Sequence, residues 1–112
     1  MKKKLLFETS GIIKAPLERV ADLLFADGPP TGTHTSVDRK NHTIAYWGNW
    51  WYRGEDSLEP HPEGTRLVHR VFNIAPQGNL PVYLANKLFI GYQAKLDAGM
   101  RKRVAEYTAR LG

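Results

Sequence analysis

The chain has 112 residues, enough for one domain with a core of its own. Its hydrophobic content of 42% and charged content of 24% are ordinary for a globular protein, which excludes a mostly disordered chain. The lack of cysteine excludes disulfides and thiolate metal sites, and the histidines do not have the spacing of metal ligands. We therefore expect no metal and no cofactor.

The net charge of +5 raises the question of a nucleic-acid or membrane partner. The basic residues are spread along the chain and cluster only at residues 2–4 and 101–103, as is typical of solvated ends, so no nucleic-acid partner is expected. The apolar run after the basic start is cut by Glu8, and no run is long enough to span a bilayer. We expect a cytoplasmic protein without an integral membrane segment.

The first quarter of the chain predicts a strand followed by a short helix. Side chains alternate between two faces over residues 5–13, which is typical of a strand. Pro16 opens the next apolar pattern and Gly28 lies just past its end, so we expect a helix that ends at about residue 27. The glycines and prolines of residues 28–32 predict a loop.

Residues 33–74 predict a series of antiparallel strands. Short strands are expected at 33–38 and 41–47, joined by a tight turn, and Gly48 marks a turn or bulge after them. Longer strands are expected at 50–59 and 65–74. The turn residues at 60–64 lie between these two segments and predict a hairpin.

The last third, residues 80–111, predicts one long amphipathic helix, because apolar residues recur there at spacings of three and four. Residues 80–92 are apolar almost all round and should be enclosed. The second half should be half in water, with Gly91 and Gly99 as tolerated interruptions. The side chains expected on its charged, solvated surface are Lys95, Asp97, Arg101, Lys102, Arg103, Glu106 and Arg110.

The order of elements predicts the fold class. A sheet with one apolar face needs cover, and the long helix is the element that can provide it. We expect an α+β fold of the helix-grip type, with a curved antiparallel sheet of about five or more strands wrapped around a long C-terminal helix. Residues 1–112 should form a single domain.

Three short motifs resemble the START-like, or SRPBCC, superfamily. Phe7 to Leu24, with Ala15-Pro16, Glu18 and Val20, is similar to the family's opening strand and helix start. Residues 63–67 are similar to its glycine-threonine turn before a late strand. Residues 78–87, which contain a leucine-proline pair and an asparagine, look like the start of its terminal helix.

The resemblance implies a hydrophobic small molecule, such as a lipid or a polyketide-like compound, bound between sheet and helix without a catalysed reaction. Family members have more strands than this chain predicts, so a reduced sheet would leave the cavity small, open or closed by a second subunit. The side chains that the resemblance places around the ligand are Trp50, Tyr52, Leu67, His69, Val71, Tyr83, Leu84, Leu88, Phe89 and Tyr92, with Trp47 and Trp51 as further aromatic candidates.

Residues 46–52 are crowded with aromatic side chains on both strand faces. Three interpretations stay open. The rings can form a bulky core, a wall for the ligand, or a contact in a homodimer, since an exposed apolar patch marks an interaction site. The third interpretation predicts an interaction protein that dimerises through the patch from Trp47 to Tyr52.

The polar candidates for a site are His69, Arg53, Glu55 and Asp56. Strand alternation places His69 on the face opposite Arg66 and Arg70, so its imidazole is expected to point inward. If the partner strand brings Asp56 or Glu55 beside it, the pair can move protons as a polyketide-cyclase-like enzyme requires. A structural histidine held by hydrogen bonds is the alternative, and no established catalytic motif occurs in the sequence.

Overall fold

The structure is a computed structural model, and it describes residues 4–28, 34–48, 52–74 and 91–111. Seven elements follow one another along this part of the chain. They are strand β1 (Lys4–Ile13), helix α1 (Leu17–Asp27), strands β2 (His34–Asp38), β3 (Thr43–Trp47), β4 (Tyr52–His61) and β5 (Gly64–Asn73), and helix α2 (Tyr92–Leu111).

The five strands form one antiparallel sheet in the order β1-β5-β4-β3-β2. Strands β4 and β5 are the hairpin predicted from the turn at residues 60–64, and this prediction is confirmed. Within it Asp56 pairs with His69, and His69 pairs in turn with Thr9 on β1. Because directly paired residues point to the same face of a sheet, these three side chains lie side by side.

The two faces of the sheet differ in chemistry. One face, here called the helix face, carries the fully buried Leu67 and Val71 and is covered by α1 and α2. The opposite face, here called the charged face, carries ion pairs. Their shortest nitrogen-to-oxygen distances are 2.7 Å for Arg70 and Glu8, 2.9 Å for Arg53 and Glu55, and 3.3 Å for Arg66 and Glu59.

Both helices contribute to one core on the helix face. Helix α1 buries Val20, Ala21 and Leu24, the face that its apolar spacing predicts. Helix α2 buries Met100 and Tyr107 in the same cluster. The sheet residues of this cluster are Ile13, Ile44, Leu58 and Leu67.

Helix α2 also packs closely on β1. The Thr9 hydroxyl donates a hydrogen bond of 2.7 Å to Asp97 on the first turns of the helix. Further along, a Cβ atom on Gly11 would lie only 2.5 Å from Cγ2 of Val104. The absence of a side chain at Gly11 therefore lets the helix backbone approach the strand.

The α+β class, the five-stranded antiparallel sheet and the covering C-terminal helix are confirmed. The prediction of one continuous helix over residues 80–111 is wrong at Gly91. That residue has φ of 76°, which a right-handed helix does not allow, and α2 begins at Tyr92. The rest of the predicted segment, up to residue 90, lies outside the described residues. Across the described residues, neither helix combines the length and apolar character needed to cross a membrane.

Candidate functional site

A cavity of about 410 Å³ lies between α2 and the helix face of the sheet. Its volume falls within the range of about 300–1,000 Å³ that is common for small-molecule sites. The lining combines aromatic and apolar side chains with polar ones. The lining residues are Thr9, Tyr46, Tyr52 and His69 from the sheet, Lys95, Leu96, Gly99, Met100, Arg103, Glu106 and Tyr107 from α2, and Asp27 and Gly28 from the end of α1.

A buried carboxylate organises the polar side of this cavity. Asp56 has no exposed surface, and its two oxygens have different partners. Oδ1 lies 2.7 Å from Nδ1 of His69, while Oδ2 accepts hydrogen bonds from Arg103 at 3.1 Å and from the Tyr46 hydroxyl at 3.3 Å. We call these four residues the Asp56 cluster.

The Tyr46 ring reaches the carboxylate by crossing β4 at a glycine. Tyr46 and Gly54 are paired across β3 and β4. A Cβ atom on Gly54 would lie 2.5 Å from the Tyr46 ring. The ring also runs nearly parallel to the imidazole of His69, with 18° between the two planes. Gly54 therefore supplies the space that brings the phenol to Asp56.

The environment fixes the charge states in this cluster. Burial alone would raise the pKa of Asp56, but the hydrogen bond from His69 and the charge of Arg103 outweigh it, so this pKa lies below its usual value. Burial also opposes the charge on Arg103, yet the Asp56 carboxylate raises the pKa of the guanidinium. Burial, followed by the nearby Asp56 charge, raises the pKa of Tyr46. Asp56, Arg103 and Tyr46 are thus an anion, a cation and a neutral phenol.

A second phenol extends the polar lining. Burial, followed by the neighbouring Tyr92 and Asp56, raises the pKa of Tyr52 to about 12. Its ring centroid lies 6.4 Å from that of Tyr46. Tyr52 therefore stays protonated at neutral pH and adds a ring surface to the cavity lining.

Within the Asp56 cluster, Arg103 differs from its predicted position. It was expected on the solvated surface of the helix, but only 24% of its side chain is exposed. Its position explains the difference, because Met100 and Tyr107 lie three and four residues away on the same helical face. This spacing indicates a position on the buried face of the helix, but a charged residue is normally assigned to the solvated face.

Of the two carboxylates considered as partners of His69, the structure places Asp56 beside the imidazole and Glu55 on the other face of the sheet. Glu55 is the neighbour of Asp56 along β4, so its side chain points to the charged face, where it accepts a hydrogen bond of 2.9 Å from Arg53. Arg53 is therefore also absent from the cavity. The inward orientation of His69 follows strand alternation as predicted.

The other predicted lining residues have different positions. Tyr52 lines the cavity, whereas Leu67 and Val71 are completely buried on the same face and belong to the packed interior. Tyr92 packs edge-on against Phe7, with ring centroids 4.9 Å apart. The remaining candidates, Trp50, Trp51, Tyr83, Leu84, Leu88 and Phe89, lie outside the described residues.

Trp47 does not face the cavity. It lies on the charged face, where the guanidinium carbon of Arg53 is 4.7 Å from its ring centroid and the His34 ring stacks at 5.6 Å. A homodimer through the patch from Trp47 to Tyr52 stays a prediction.

The Asp56 cluster is suited to hydrogen bonding and proton transfer at the cavity surface. A carboxylate that accepts a hydrogen bond from the Nδ1–H group holds a neutral imidazole in one tautomer, which leaves Nε2 as an acceptor. Among the described residues, no group of three or more histidine, aspartate or glutamate side chains has the arrangement of a metal site. No family model, curated protein or solved structure matches the chain.

Proposed function

We propose that the chain is a small START-like protein that binds a hydrophobic small molecule, lipid or polyketide-like, between the sheet and α2. The observation that carries the proposal is the cavity of about 410 Å³ on the helix face. Tyr46, Tyr52, Leu96, Met100 and Tyr107 provide apolar surface around it, as ligand sites require. The order of strand, helix, sheet and terminal helix agrees with the family resemblance.

A fluorescence titration tests this proposal with phenylnaphthylamine, a neutral hydrophobic probe. Gly99 lines the cavity, and a Cβ atom there would meet no atom within 4 Å. The variant Gly99→Phe should therefore place a ring in the cavity and abolish saturable probe binding, whereas Gly99→Ala should bind as the parent protein does. A parent protein that shows no saturable binding would refute the proposal.

Native mass spectrometry identifies the ligand class. The protein is purified from its own host and weighed before and after organic extraction. A molecule that leaves on extraction, and that is missing from Gly99→Phe prepared in the same way, is the expected result.

A second candidate function is acid–base catalysis on the bound molecule. The specific observation is the 2.7 Å contact between Asp56 Oδ1 and His69 Nδ1, since a carboxylate that orients an imidazole is a common arrangement for a general base. If His69 removes a proton from carbon, the molecule recovered from the protein should take up deuterium in heavy water. The exchange should stop in His69→Phe and continue in His61→Phe, and a ligand that gains no deuterium would count against catalysis of this kind.

A further inference from the structure

We infer that the ligand of this cavity is an uncharged molecule that donates a hydrogen bond, through an O–H or N–H group, to Nε2 of His69. This inference rests on the proposed binding function and adds to it the chemistry of the polar contact. It depends on which atoms of the Asp56 cluster are already engaged.

The hydrogen bonds of His69 fix its role toward a ligand. Nδ1 lies 2.7 Å from Asp56 Oδ1, an ionised oxygen that can only accept, so Nδ1 carries the proton. Nε2 of the neutral imidazole then has a free lone pair. No residue in the described part of the chain is a hydrogen-bond partner of Nε2, and His69 forms part of the cavity lining. A donor on the ligand would complete this atom's hydrogen bonding.

The charges around the cavity floor argue for a neutral ligand. The Asp56 carboxylate and the Arg103 guanidinium compensate each other at 3.1 Å. Burying an additional charge beside this balanced pair would be unfavourable because no opposite charge is left over for it. Three further charged residues line the cavity. Asp27 and Glu106 both pair with Arg110, at 2.8 Å and 3.7 Å, and Lys95 is exposed, so water screens its charge and it selects an anion only weakly.

The tautomer of His69 can be measured without any ligand. Nitrogen-15 NMR of the imidazoles should show Nδ1 of His69 protonated and Nε2 unprotonated. His61 is an internal control, because its Nδ1 accepts a hydrogen bond of 3.1 Å from the backbone N–H of Glu63 and should therefore show the opposite tautomer. A protonated Nε2 on His69 at neutral pH would overturn the inference.

Matched probes test the contact itself. Naphthol and its methyl ether share one ring system, but only naphthol donates a hydrogen bond. At neutral pH naphthol should bind the protein about tenfold more tightly than the ether, the effect of one additional hydrogen bond. Naphthoic acid, which is ionised at this pH, should bind no better than the ether. Tighter binding of the acid would overturn the inference that the ligand is uncharged.

Variants connect the preference to His69. The ratio of naphthol to ether affinity should fall to about one in His69→Phe and stay near tenfold in His61→Phe. Equal binding of both probes by the parent protein would overturn the inference and leave the proposed function standing. Binding of neither probe would refute the proposed function and the inference together.

Discussion

At the scale of single residues, the site depends on a missing side chain at Gly54. A methyl group there would collide with the Tyr46 ring at 2.5 Å. We predict that Gly54→Ala displaces the ring from Asp56 and lowers the free energy of unfolding by about 1–3 kcal/mol, as overpacking usually does. Urea denaturation checks this, with Gly48→Ala as the control because a Cβ there meets no atom within 4 Å. Equal stabilities of the two variants would contradict this account.

The buried charge of Asp56 should appear in the pH dependence of stability. Its pKa in the folded protein lies below the ordinary value of 3.8, so its stabilising contribution is complete above that value and disappears as the pH falls through the folded pKa. We predict that Asp56→Asn removes part of the acid-side loss of stability between neutral pH and about pH 2. Part of the decrease in stability with falling pH should stay in this variant. Hydrogen bonds from Asn41 and Thr9 lower the pKa values of Asp38 and Asp97, which also contribute to it.

At neutral pH the same variant should be destabilised by on the order of 3 kcal/mol, because Arg103 loses its counter-charge. The lower end of the range for buried pairs applies, since 24% of the Arg103 side chain is exposed. Asp22→Asn, on the exposed side of α1, is the control and should change stability little. A small effect of Asp56→Asn would mean that water solvates the Arg103 guanidinium once the carboxylate is removed.

At the scale of elements, the contact of α2 with β1 can be tested by substituting two glycines, one in a tightly packed position and one in open space. Gly11→Ala should push Val104 away and destabilise the protein by about 1–3 kcal/mol. Gly99→Ala, in open space on α2, should stabilise it by up to about 1 kcal/mol through higher helix propensity. Thermal unfolding of both variants measures the two effects, and destabilisation by both would argue that the helix packs differently.

The elements themselves were largely predictable from sequence. Alternation and turn residues located all five strands, and Pro16 with Gly28 placed α1, because these signals are local. The start of α2 was not predictable, because the apolar spacing continues through Gly91. A glycine can also lie inside a helix, as Gly99 does, so the residue type alone does not indicate the φ of 76° at Gly91. The partner of His69 was left between Asp56 and Glu55 because a shift of one residue exchanges the two faces of a strand.

At the scale of the whole molecule, ligand binding should be visible as stability. A ligand present at about one hundred times its dissociation constant stabilises the native state by about 2.7 kcal/mol. For a domain of this size we predict a rise in Tm of roughly 10 °C with a bound probe. Differential scanning fluorimetry measures the shift, and Gly99→Phe should show none. A shift of the same size in Gly99→Phe would place the bound probe outside the cavity.

Asp56 lies on β4 and contacts both β5 and α2, which has a consequence for how the protein can change by mutation. Its two oxygens hold His69 of the sheet and Arg103 of the helix, so the group that orients the cavity's acceptor also ties the cavity's two walls together. Substitutions at these three positions should be strongly epistatic, since each alone leaves a buried polar partner unsatisfied. A homologue with different ligand chemistry would be expected to have exchanged the three residues as a set.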